Sequence, residues 1–133
     1  MIHTIEIEPV ATPRPKIRVM NIRGKKAPQA YYPAKYHHYK EALSLLIKSV
    51  CKKGTYSKLR VVFYLRYPKG TPKYKQIEGN PHIKKPDVDN FLKGFMDALE
   101  QSGVTGNDSK FYSVRMMKLY TTGVPRIKFR LLS

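Results

Sequence analysis

Between Lys58 and Tyr67 the chain alternates cleanly, with Leu59, Val61, Phe63, Leu65 and Tyr67 on one side and Arg60, Val62, Tyr64 and Arg66 on the other. A side-chain period of two predicts a strand with one buried face. From Ala34 to Lys53 the rhythm changes: Tyr36, Tyr39, Leu43, Leu46, Ile47 and Val50 recur at steps of three and four, one face of a helix. Pro33 suits the first turn of that helix, and Gly54, beside Lys52 and Lys53, suits its stop. A second stripe of Phe91, Leu92, Phe95, Met96 and Leu99 predicts a helix near Asn90 to Ser102, closed by Gly103. Met1 to Glu8 alternates loosely and predicts a first strand. Lys110 to Tyr120 and Val124 to Leu132 alternate around Thr121-Thr122-Gly123, the pattern of a β-hairpin.

Two stretches carry no usable period. Residues 9–33 hold Pro13, Pro15, Pro28 and Pro33 among Arg14, Lys16, Arg18, Arg23, Lys25 and Lys26. Residues 68–86 hold Lys69, Lys73, Lys75, Lys84 and Lys85 among prolines and glycines. Both are expected to be irregular basic loops, and loops this long in a small domain are functional or mobile. The resulting order, β-α-β-α-β-β, predicts an α+β fold: one domain over residues 1–133, a mixed sheet and two main helices.

Charge changes the picture from fold to function. The chain carries 26 basic and 9 acidic residues, a formal charge of +17. Self-repulsion on that scale points to a polyanionic partner, of which nucleic acid is the commonest. No run of 18 apolar residues is present, so no membrane-spanning helix is expected. The first residues lack the pattern of a secretory signal. Cys51 stands alone, which rules out an internal disulfide and a cysteine zinc cluster. A cytoplasmic location follows as the expectation.

The acids are not spread evenly. Five of the nine, Asp87, Asp89, Asp97, Glu100 and Asp108, fall within 22 positions that contain one base, Lys93. That window sums to −4 and the remainder to +21. Pro86 biases Lys85 toward an extended backbone. If the extension continues to Asp89, both carboxylates lie on one side of the chain, with Asp89 or Asn90 capping the helix. Carboxylates that converge without bases repel one another unless a cation holds them. Hard oxygen donors with few protein contacts suit Mg²⁺ or Mn²⁺, which keep water and phosphate in their shell and assist displacement at phosphorus. Lys93, four residues after Asp89, falls on the polar side of the helix, where its ammonium can stabilise charge on a phosphate. Plainer readings stay open: Asp89 as an N-cap, Lys93 with Asp97 as a surface pair, Asp108 as a turn residue. A calcium loop counted from Asp87 fails, because its sixth position is Leu92 and its twelfth Ala98.

The run Pro-Asp-Val-Asp-Asn-Phe-Leu-Lys-Gly-Phe-Met-Asp-Ala-Leu from Pro86, followed by Asn107-Asp108 and a strand, resembles the RusA family of Holliday junction resolvases. A weaker early pattern extends the likeness: a strand, then Pro13-Arg14-Pro15-Lys16, then a helix. The resemblance implies metal-binding carboxylates at Asp87, Asp89 and Asp108 and a catalytic lysine at Lys93. It further implies a homodimer that makes paired symmetric nicks in four-way DNA junctions with Mg²⁺ or Mn²⁺, in a bacterial or phage-infected cell. Many members carry Asp-Asp where this chain has Asn107-Asp108, so a fourth ligand is not implied.

Such a protein draws its affinity from phosphate neutralisation. Arg14, Lys16, Arg18, Lys84 and Lys85 are the candidate DNA-binding residues, and Tyr31 and Tyr32 are candidates either for stacking on unpaired bases or for packing. The competing function is a non-catalytic basic nucleic-acid-binding protein, which has no use for an acidic window facing phosphates. A nuclease of the same fold acting on other branched DNA is the third possibility.

Overall fold

The alternating segment around Phe63 forms the central strand of a four-stranded sheet, and Leu59, Val61 and Phe63 are all but inaccessible to solvent. The computed structural model describes residues 1–106 and 110–133. In chain order the elements are β1 (His3–Ile5), β2 (Lys16–Ile22), β3 (Lys25–Tyr31), α1 (Ala34–Val50), β4 (Lys58–Arg66), α2 (Val88–Ser102), β5 (Ser113–Thr121) and β6 (Arg126–Leu132), with a 3-10 turn at Lys73–Lys75. The α+β class and mixed sheet agree with the sequence reading.

The sheet runs β1-β6-β4-β5, with β5 parallel to β4 and β6 antiparallel to it. Both helices cover one face. Tyr36, Tyr39, Leu43 and Ile47 of α1 and Phe91, Phe95, Ala98 and Leu99 of α2 meet Leu59, Val61, Phe63, Ile127 and Phe129 of the sheet in one core. Phe95 stands edge-on to Phe63 and Phe129, with centroids 6.2 and 5.2 Å away. Leu46 and Val50, expected on the buried stripe of α1, are about 40% exposed. The helix also ends at Val50, before Gly54, with the Cys51 amide donating to the Ile47 carbonyl.

The expected β5–β6 hairpin does not form. Parallel pairing through α2 places β5 on one edge of β4, and β6 takes the other edge with β1 beyond it. The link from Thr121 to Arg126 therefore passes the end of β4, crossing two strand spacings, about 10 Å. Five peptide steps reach up to about 17 Å, so the span is easily covered. Glu78 holds the link: its carboxylate accepts from the Thr122 amide at 2.6 Å and from the Thr121 hydroxyl at 2.9 Å, and pairs with Arg126 at 3.6 Å. These bonds, led by the Thr122 amide, lower the Glu78 pKa from its ordinary value.

The first basic loop is also corrected. Residues 16–31 form a two-stranded antiparallel hairpin, from Lys16↔Tyr31 to Ile22↔Lys25. Its two-residue turn is Arg23-Gly24, at φ 52° and 76°, a pair of left-handed residues that matches the twist of the flanking strands. Pro28 had argued against a strand. It sits opposite Val19, and counting outward from Ile22↔Lys25 that is a non-hydrogen-bonded pair, so the missing amide removes no ladder bond.

The second basic loop is largely irregular, as expected, yet it is tied down. Gly79 donates to Tyr120, Tyr120 to Asn80, and His82 to Lys118, so residues 79–82 run along the free edge of β5. Tyr67 stacks on Tyr120 at 4.2 Å, His82 lies 4.6 Å from the same ring, and the Tyr67 hydroxyl donates to the Ile77 carbonyl. Backbone pairing closes an edge that would otherwise expose a row of free amides and carbonyls.

Candidate active site at the start of the second helix

The acidic run and α2 begin together. Asp87 occupies the N-cap position with an extended backbone (φ −67°, ψ 151°), and Asp89 lies in the first turn. The expected extension through Asp89 is corrected, since the helix already starts at Val88 and neither Asp89 nor Asn90 is the cap. The two carboxylates share one helix end because of a cap-and-first-turn relation, in place of the period of two.

Both side chains are exposed. Neither is spent locally. Asp87 makes no side-chain capping bond, and among the described residues neither carboxylate has a hydrogen-bond or ion-pair partner. In a chain with 26 bases, two carboxylates at one helix end without a partner among the described residues are a clear departure from the surrounding charge. The approach to them is fixed from β5: Lys118 Nζ donates to the carbonyl oxygens of Lys84 and Pro86, across a cis Lys85–Pro86 peptide. Lys118 lies beside Phe63 in the ladder, so it reaches this segment from the helix-covered side of the sheet. Burial, aided by the Lys118 charge, depresses the His82 pKa from its usual value.

Lys93 follows one turn after Asp89 and is exposed, as expected. Asp97 does not pair with it. The Asp97 carboxylate lies 3.5 Å from Lys40 Nζ, which also sits 4.8 Å over the Tyr36 ring. Lys93 and Asp97 both line a crevice with Thr12, Tyr32, Tyr36, Leu92 and Met96. Tyr36 closes its floor. Its hydroxyl lies 2.7 Å from Thr12 Oγ1, and a Cβ on Gly94 would come within 3.1 Å of that hydroxyl. Glycine is what lets α2 approach α1 here. Burial raises the Tyr36 pKa, so the hydroxyl is un-ionised at neutral pH.

The same crevice joins the hairpin to the acids. The Thr12 amide donates to the Asn90 carbonyl at 2.9 Å, pinning the chain just before β2 to the first turn of α2. At the other end of the hairpin Tyr32 packs on Tyr36 at 5.3 Å. Arg14, Lys16 and Arg18 follow this anchor point in the chain, and Lys84 and Lys85 immediately precede Pro86 and Asp87, all five exposed. Arg18 is partly engaged: it donates to Gln29 at 3.2 Å and lies 4.9 Å over Tyr31. Sequence reasoning missed Thr12 and Gly94 and assigned Tyr36 to the core alone. The Arg-Gly pair at 23–24 was the available signal for the hairpin.

Asp108, with Asn107 and Ser109, lies outside the described residues. Among the described residues no three His, Cys, Asp or Glu side chains assemble into a metal-holding group. The donor chemistry of Asp87 and Asp89 nonetheless fits a hard divalent cation, being carboxylate oxygens with no competing partner among the described residues.

A family profile described as endodeoxyribonuclease RusA matches residues 6–131, nearly the whole chain. The chain belongs to the RusA endodeoxyribonuclease family. No curated protein matches it. Membership in the RusA family makes this an enzyme class that cuts DNA internally, in agreement with the resemblance carried by residues 86–108. No helix among the described residues is long and apolar enough to cross a membrane.

Proposed function

We propose that the chain is a divalent-metal-dependent endonuclease that resolves four-way DNA junctions by paired symmetric nicks, acting as a homodimer. The observation that carries this reading is that Asp87 and Asp89 share one helix end, with Lys93 one turn beyond Asp89, and that none of the three has an ion-pair partner among the described residues of a RusA-family chain of +17 charge. Asp87 and Asp89 would hold Mg²⁺, or Mn²⁺, with Asp108 the third ligand implied by the family resemblance. A cation held by these carboxylates would supply water activation and charge neutralisation at the scissile phosphate. Lys93 offers its ammonium to the same phosphate oxygens. The hairpin lysines and arginines, with Lys84 and Lys85, draw the backbone in and hold it beside the helix end. Two copies related by a two-fold axis present two such sites to an open junction of matching symmetry.

The test uses a synthetic four-way junction, incubated with the native chain and Mg²⁺. Paired nicks at symmetric positions are expected, abolished by a chelator and restored by added Mg²⁺. Cleavage that persists in chelator would contradict the role given to Asp87 and Asp89. Binding of the junction with no cleavage under any divalent cation would favour the non-catalytic alternative.

A further inference from the structure

The sheet face turned away from the helices is separate from Asp87, Asp89 and the crevice beside Lys93. It presents Arg60, Val62, Tyr64 and Arg66 of β4, with Arg115 and Met117 of β5 and Arg126, Lys128 and Arg130 of β6. Arg66 faces Glu8 at 3.9 Å and Arg126 faces Glu78 at 3.6 Å. The other four cations, Arg60, Arg115, Lys128 and Arg130, have no carboxylate within ion-pair distance among the described residues. They surround an open groove floored by Ile2, Val62 and Met117.

The register makes the arrangement costly. Arg60 is directly opposite Arg115 on one side and Arg130 on the other, so three arginines stand in one row across three adjacent strands. Like charges directly opposite one another destabilise a sheet. An anion seated across the row removes that cost. The spacing from Arg115 to Arg130 is two strand separations, about 10 Å, which suits an extended run of phosphates better than one small anion.

We propose that this open face is a second DNA-contacting surface, which grips the phosphodiester backbone of a duplex arm on the side of the sheet opposite the candidate metal site. It rests on the reading of branched DNA as substrate. Base stacking is not its mode. Tyr64, the aromatic ring of the face, is already covered by Arg126 at 4.0 Å and Lys128 at 5.6 Å. A second copy of the chain is also a poor occupant, because a two-fold interface sets the arginine row against its own image. A nuclease whose substrate has four arms gains from a contact that holds an arm without entering the crossover.

The experiment compares the native chain with Arg115→Gln/Arg130→Gln. Both residues are exposed, and the single variant Arg115→Gln serves if the double variant melts early. Binding is titrated against a four-way junction and a linear duplex over a range of salt. Weaker binding of both DNAs is expected, by roughly tenfold or more at 0.1 M salt, with the slope of log K against log salt shallower by about 2. Cleavage at saturating protein should be unchanged. Unchanged affinity and slope with junction cleavage intact would overturn this inference and leave the proposed function standing. Loss of native dimer mass in the variant would also overturn it, by making the face a contact between copies. A native chain that binds no DNA removes both readings together.

Discussion

Single charged side chains near the start of α2 differ in the partners they take. Asp97 and Asp89 flank Lys93 at equal helical spacing, yet Lys40 takes Asp97 at 3.5 Å, and among the described residues neither Asp89 nor Lys93 makes an ion pair. The proposed role gives the Lys93 ammonium to the scissile phosphate. Truncation by Lys93→Ala should lower the rate of junction cleavage about 10²- to 10³-fold, the usual loss for one electrostatic contact made in the transition state. Junction affinity should change little, because one ammonium is a small part of the total phosphate neutralisation. Gel-shift titration beside single-turnover cleavage separates the two effects. Equal losses in both would make Lys93 a binding residue. Gly94 shows the same logic in packing, since its missing side chain is the space in which Tyr36 meets Thr12.

Among the elements, the β2–β3 hairpin has the least attachment to the core and the most charge. Five bases and no acid lie on it, and most of its residues are exposed, including Ile17 and Val19. Neutralising Lys16, Lys25 and Lys26 to glutamine should make the salt slope of junction binding shallower by roughly 2 to 3. The melting temperature should stay within a few degrees of native, because these side chains pack on nothing in the core. A large drop in melting temperature would mean that the hairpin is part of the folded body. This element was the least legible in the sequence. Its strands bury no face, so periodicity had little to report, and Pro28 masked what remained. By contrast, β4, α1 and α2 bury one side each and were read to within a few residues. The β5–β6 pairing was misread for another reason: strand content is local, while the choice of partner depends on β4 occupying the centre. Of the candidate site, the sequence showed residue types, three acids and a lysine with Asp108 outside the described residues, but the cap at Asp87 and the tie from Thr12 to Asn90 are tertiary facts.

For the whole molecule, charge is sorted onto separate surfaces. The helix-covered side carries the start of α2, with its unspent acids, the crevice and the root of the hairpin. The open sheet face carries Arg60, Arg115, Lys128 and Arg130, which have no carboxylate partner among the described residues. Acids beside a phosphate-binding surface make sense only where a cation mediates between them. The Asp89→Asn variant isolates that requirement, since the amide keeps the shape and removes the charge. With a four-way junction and Mg²⁺, the account predicts that the variant binds the junction at least as tightly as the native chain and makes no nicks. Cleavage at the native rate by Asp89→Asn would contradict it.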